Sequence, residues 1–154
     1  MKVGLADTTF SKFDYAPVVL KVLNASKPKV YVQRYTVPGI KDLPVACRKL
    51  FKNGCDIVIA CGMVGKAPID KQCSHEASLG MQMVQVNEGK HILEVFVHSD
   101  EAKDDKELAS ICEDRSRKHA MNALMLLFDQ KEMQKRAGTG RRQGRPDAGK
   151  LKVG

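Results

Sequence analysis

Four short apolar stretches recur along this chain, each followed by a polar loop and then a segment with helical spacing. That alternation constrains the fold more than any other feature. The stretches run from Lys2 to Ala6, Lys29 to Tyr35, Cys55 to Ala60 and Ile92 to Val97. More than a dozen residues separate each from the next, which suits right-handed crossover helices and parallel pairing rather than hairpins. Tyr15, Val18, Val19, Val22 and Leu23 mark one helical face, and Leu43, Ala46, Cys47, Leu50 and Phe51 mark the next. A third helix is expected from about His75 to Asn87, and a fourth pattern runs from about Lys103 to Arg136. The stretch at 55–60 is apolar except for Asp56, as a central strand covered on both faces should be. The expected fold is an α/β/α three-layer sandwich with a four-stranded parallel sheet of order 2-1-3-4. Arg115 and His119 fall on the apolar stripe of the last helix and need partners, either in the core or across a subunit interface. That pattern is long enough that it either breaks near Asp129 or packs its end on a second copy.

One domain, 1–136, accommodates all of this, with 137–154 as a basic, irregular C-terminal tail. The net charge of +8 is concentrated there: from Lys131 onward eight Lys or Arg stand against two acids. No aromatic side chains are interleaved among them to stack on bases, so the charge is read as a solvated tail and no nucleic-acid partner is expected. The five cysteines are odd in number and form no CxxC pair, which points to reduced, mostly buried thiols. The apolar run at the start is too short for a signal peptide and no run is long enough for a bilayer. The expectation is a cytoplasmic protein without a membrane partner.

In such a sheet, ligands bind beyond the carboxyl ends of the strands, where the strand order reverses. Five features fall there. Phe10, within Asp7-Thr8-Thr9-Phe10, either stacks on a planar ligand or plugs the core rim. Asp42, after the Pro38-Gly39 turn, either accepts ligand hydroxyls or complements a helix dipole. Gly62 and Gly65 let backbone approach a flat molecule closely. His75-Glu76 and His98 with Glu101 are candidate proton-transfer pairs, although a solvated or capping role is the commoner use of such pairs.

VPGIKDLP at 37–44, GMVGK at 62–66, SHEASLG at 74–80 and EVFVHSDEAKDDKEL at 94–108 together resemble the archaeal-type riboflavin synthases, a family related to lumazine synthase. The similarity runs from Lys2 to about Gly149 and includes the DTTF loop and the RQG-x-x-DAG element at 142–149. It implies a lumazine-synthase-like fold and a homopentamer with sites between subunits. Each site would take two 6,7-dimethyl-8-ribityllumazine molecules and yield riboflavin and 5-amino-6-ribitylaminouracil, with no organic cofactor. Carried over by position, Phe10 would cover the heterocycle, with Asp7, Thr8 and Thr9 beside it. Pro38, Gly39, Ile40, Lys41 and Asp42 would hold the ribityl chain, and Gly62, Met63 and Val64 the pyrimidine edge. His75 would be the catalytic histidine beside Glu76, with His98 and Glu101 as the second catalytic candidates. Phe96 to Glu101 of a neighbour would close the pocket. The chain departs from the lumazine synthase pattern at Lys66 to Ser74, where a glycine and threonine normally precede the histidine. Magnesium or manganese is left open: Asp100, Glu101, Asp104 and Asp105 could hold one weakly or simply complement a helix start. The alternatives are lumazine synthase itself, a non-catalytic lumazine or flavin carrier, and a basic RNA-binding module.

Overall fold

The structure, a computed structural model, describes residues 1–142 and 145–153. The chain runs β1 (Lys2–Thr8), α1 (Ala16–Asn24), β2 (Tyr31–Val37), a 3-10 turn (Ile40–Asp42) and α2 (Leu43–Lys52). It continues through β3 (Ile57–Val64), α3 (Pro68–Glu88), β4 (Ile92–His98) and a second 3-10 turn (Ser99–Glu101) to α4 (Asp105–Phe128) and α5 (Gln130–Arg136). All strand pairs are parallel and the order is β2-β1-β3-β4, as the spacing of the apolar runs requires. Among the described residues no helix is long and apolar enough to cross a membrane.

Because side chains alternate across a strand, β3 feeds two cores at once. Ile57, Ile59, Cys61 and Met63 pack on the side of α1 and α4 with Val19, Leu23 and Cys112, while Val58, Ala60 and Val64 pack toward α2 and α3 with Leu50, Phe51 and Met81. Every residue of β3 is buried, which explains its unbroken apolar run. Gly4 keeps α2 close to the sheet: a Cβ there would sit 2.9 Å from Val58 Cγ2 and 3.0 Å from Leu50 Cδ1.

Two elements differ from their sequence reading, and a third takes one of the two forms expected of it. β3 extends to Val64, paired with β4 through Gly62↔Phe96 and Val64↔His98, so Gly62, Met63 and Val64 belong to a strand and not to a loop. α3 begins at Pro68, seven residues before the expected start at His75. Pro68 lies in the first turn, where its missing N–H costs nothing, and the Asp70 carboxylate accepts the Ala67 amide at 3.1 Å. The first two turns of α3 carry little apolar stripe, which hid them. The last helix breaks at Asp129, whose carboxylate caps α5 by accepting the Glu132 amide at 3.0 Å.

The two polar residues on the α4 stripe find partners in the core. Arg115 Nη1 donates to the Phe96 carbonyl at 2.6 Å, and the guanidinium grips Glu101 with Nη1–Oε1 at 2.9 Å and Nη2–Oε2 at 2.6 Å. His119 Nδ1 lies 2.8 Å from the Arg115 carbonyl oxygen, and burial holds its pKa below the usual histidine value.

Candidate active site

A cleft of about 200 Å³ opens at the carboxyl edge of the sheet, lined by Phe10, Gly39, Ile40, Lys41, Met63, Val64, Gly65, Asp70 and Cys73. Three loops meet there because β1, β2 and β3 end side by side, and hydrogen bonds hold the first two together. The Thr9 amide donates to the Val37 carbonyl at 2.9 Å and the Phe10 amide to the Pro38 carbonyl at 3.2 Å. The Phe10 ring is left 66% exposed at the rim, so it does not plug the core. A larger cleft of about 380 Å³ lies between α4, α5 and residues Arg141, Arg142 and Asp147, with Arg117, Lys118 and Arg136 also in its lining. None of the candidate residues reaches it.

The edge cleft gathers six of the sequence candidates: Phe10, Gly39, Ile40, Lys41, Met63 and Val64. Gly65, expected to let backbone approach a flat ligand, also lines it, and Asp70 and Cys73 join them without having been proposed as contacts. Asp70 could have been found as an acid three residues after Ala67 with Pro68 between, a helix-start signature. Its carboxylate also explains Gly65, since a Cβ there would meet Asp70 Oδ2 at 2.1 Å.

Other candidates are turned elsewhere. Asp7 is buried, accepting from Arg34 Nε at 2.8 Å and the Thr36 hydroxyl at 2.6 Å, which makes it a clamp between β1 and β2. Thr9 Oγ1 donates to the Pro38 carbonyl at 3.3 Å. Asp42 is the cap residue of α2, with no side-chain hydrogen bond to that helix. Thr8 Oγ1 is buried and finds no hydrogen-bond partner among the described residues. Phe96 is buried behind Gly62.

Neither expected histidine–carboxylate pair forms. Glu76 faces Lys41 and Gln72 instead of His75, and Lys41 first, then Gln72, holds its carboxyl below the usual range. His75 lies exposed in the second turn of α3 rather than at its N-terminus. Glu101 reaches His98 only through the backbone, accepting its amide at 2.9 Å, while the Arg115 guanidinium keeps the Glu101 carboxyl ionised below the ordinary glutamate range. A carboxylate held this way fixes the turn after β4 and is a poor proton carrier near neutral pH.

The acids after β4 are similarly occupied. Asp100 pairs with Lys71, and Asp104 caps α4 by accepting the Glu107 amide at 2.8 Å. Among the described residues no three His, Cys, Asp or Glu side chains gather within reach of one metal ion.

Gly62 packs closely between the cleft-lining Ile40 and the buried Phe96. A Cβ there would stand 2.6 Å from Ile40 Cγ2 and 3.0 Å from Phe96 Cε1, so Gly62→Ala must displace a cleft-lining residue or a core ring. Overpacking of this kind costs about 1–3 kcal/mol. Urea unfolding should show that loss; an unchanged midpoint would mean Ile40 moves freely.

Residues 1–131 match the 6,7-dimethyl-8-ribityllumazine synthase family. The chain is 47% identical over 152 residues to a riboflavin synthase of Methanothermobacter thermautotrophicus, covering 98% of this chain and 99% of that one. It is 46% identical over 152 residues to a riboflavin synthase of Archaeoglobus fulgidus, with the same coverage. A riboflavin synthase of Aeropyrum pernix is 47% identical over 151 residues, 97% of each chain.

Proposed function

The chain belongs to the archaeal riboflavin synthases within the lumazine synthase family, and from that membership we propose a transferase that dismutates two 6,7-dimethyl-8-ribityllumazine molecules. One lumazine gives up a four-carbon unit to the other; the acceptor becomes riboflavin and the donor leaves as 5-amino-6-ribitylaminouracil. The observation that carries this reading is the edge cleft, which the exposed aromatic ring of Phe10 lines together with Met63, Val64 and Gly65.

The C7 methyl of the lumazine is acidic because its carbanion is delocalised over the ring, so a modest base suffices. His75 and His98 are the candidates for that base. The carbanion attacks the second lumazine, and the joined intermediate fragments as the four-carbon piece moves across. Holding two planar molecules in register can offset on the order of 7 to 11 kcal/mol of barrier, which fits a cleft with few ionisable groups free to react.

At about 200 Å³ the cleft of one chain falls below the roughly 300–1,000 Å³ usual for small-molecule sites. A second subunit supplying the other wall accounts for the shortfall. Leu79, Met83 and Val86 on α3, exposed at 47%, 66% and 81%, favour self-association, and a homopentamer is the proposed assembly. The enzyme is proposed to work in the cytoplasm without an organic cofactor.

Lumazine synthase activity is the nearer rival, and Asp70 argues against it. A helix N-terminus is where a substrate phosphate would be held, but at α3 the Ala67 amide is already taken by a carboxylate that lines the cleft. Purified protein given 6,7-dimethyl-8-ribityllumazine alone should form riboflavin and the diaminouracil in equal amounts, followed by absorbance. No product from the single substrate, with lumazine formed from the diaminouracil and the phosphorylated butanone, would reverse the assignment.

A further inference from the structure

The larger cleft takes no part in the edge chemistry, yet three elements build its walls. Arg117, Lys118, Met121, Asn122 and Met125 share one face of α4, turned away from the face that buries Cys112, His119 and Ala123 in the core. Asp129 breaks the helix, so α5 leaves its line and adds Met133 and Arg136 as a second wall. The third wall comes from the segment that reads in sequence as a loose basic tail. There the Thr139 hydroxyl donates to the Arg136 carbonyl at 2.6 Å, and the Ala148 amide donates to the Gly140 carbonyl at 2.8 Å. The Arg142 amide donates to Asp147 Oδ1 at 3.0 Å, which sets Arg141 and Arg142 in the lining.

The cations of this lining outnumber the acids that answer them. Asp114 is shared, at 2.7 Å from both Arg117 Nη2 and Lys118 Nζ, and Glu132 holds Arg136 Nε at 2.9 Å. Asp147 is occupied by the Arg142 backbone amide. Among the described residues no acid lies within ion-pair distance of the Arg141 or Arg142 side chain. Two guanidinium groups left in this way suit a dianion that accepts several N–H bonds at once. The rest of the lining is largely thioether, from Met121, Met125 and Met133. Such side chains adapt to a ring and make favourable sulfur–aromatic contacts. At about 380 Å³ the cleft lies inside the roughly 300–1,000 Å³ usual for small-molecule sites, unlike the edge cleft of one chain.

We propose that this cleft is a second ligand site, which takes a phosphate monoester on a flat apolar body, the make of a nucleoside monophosphate. Arg141 and Arg142 hold the phosphate and the three methionines cover the ring. Asn122, whose amide both donates and accepts, stands in the same lining to meet the polar edge of that ring. Phosphate alone would leave the methionines uncovered, and a ring alone would leave the guanidinium groups unanswered. Binding involves no covalent step, and the site shares no lining residue with the edge cleft.

The test is calorimetric titration of the full-length protein with adenosine monophosphate, adenosine and inorganic phosphate, at low ionic strength; it needs no turnover. Adenosine monophosphate should bind once per chain, with adenosine and inorganic phosphate each weaker by about tenfold or more. The double variant Arg141→Ala/Arg142→Ala should lose about tenfold or more in affinity for the nucleotide. Arg141→Lys/Arg142→Lys should recover part of that loss, because the point charges remain. Met121→Ala, at a residue 44% exposed, should weaken the nucleotide and leave inorganic phosphate unchanged. Melting temperatures and riboflavin formation should match the wild type in all three. No binding of adenosine monophosphate overturns the proposal, and an affinity unchanged in Arg141→Ala/Arg142→Ala places the nucleotide elsewhere and overturns it too. Inorganic phosphate binding as tightly as the nucleotide would reduce the cleft to an anion patch and reject the ligand class.

Discussion

His75→Ala should lower kcat for riboflavin formation by about 10²-fold or more with KM nearly unchanged, the size of effect expected when a general base is removed. His75 is exposed on α3, one residue from Glu76, which is drawn to the cleft-lining Lys41. Among the described residues no hydrogen bond joins its ring to a carboxylate of this chain. A residue that serves a neighbouring subunit has this exposure. His98 differs: it is half-buried, and its backbone is pinned by Glu101 and, through Glu101, by Arg115. His98→Ala in parallel separates the two. If His98→Ala loses the rate and His75→Ala keeps it, the base is His98; if both keep it, solvent takes the proton and register alone provides the acceleration.

The sheet could be read in the sequence because β3 is buried on both faces and nothing polar interrupts it. The same apolar run hid where the strand stops, since Gly62 reads as a loop residue until its closeness to Ile40 and Phe96 is known. Glycine there reflects packing against two side chains distant in sequence, a tertiary fact with no local signature. α3 was read short for a different reason. Its first two turns face the cleft and solvent, so they lack the stripe that marks a helix, and only Pro68 and Asp70 announce the start. Of the site, the rim residues Phe10, Gly39, Ile40 and Lys41 were legible from composition after a strand end and from family resemblance. The partners of the acids were not. Asp7 with Arg34 and Glu101 with Arg115 are pairs across elements, and nothing in the spacing of either residue names the other. His75-Glu76 failed as a pair because neighbours in a helix point some 100° apart, while Gln72, one turn earlier, stands on the glutamate's own side.

Arg115→Met should destabilise the protein by about 3 kcal/mol or more at neutral pH, because it strands a largely buried carboxylate without its bidentate partner. The Phe96 carbonyl loses its donor in the same step. The pH dependence identifies the cause. Glu101 is held below its ordinary pKa, so the stabilisation from its charged form is complete above the unfolded value of about 4.3 and is lost as pH falls through the lower folded value. The gap between wild type and Arg115→Met should therefore be widest from about pH 5 to 7 and narrow progressively below about pH 4, where Glu101 is neutral in the unfolded chain and in the variant. Urea unfolding at pH 7, 5 and 3 measures it. A gap that stays constant over that range would mean that Arg115 stabilises through packing and hydrogen bonds to groups other than Glu101, the Phe96 carbonyl among them. The turn at Ser99–Glu101 would then owe its position to something other than the ion pair.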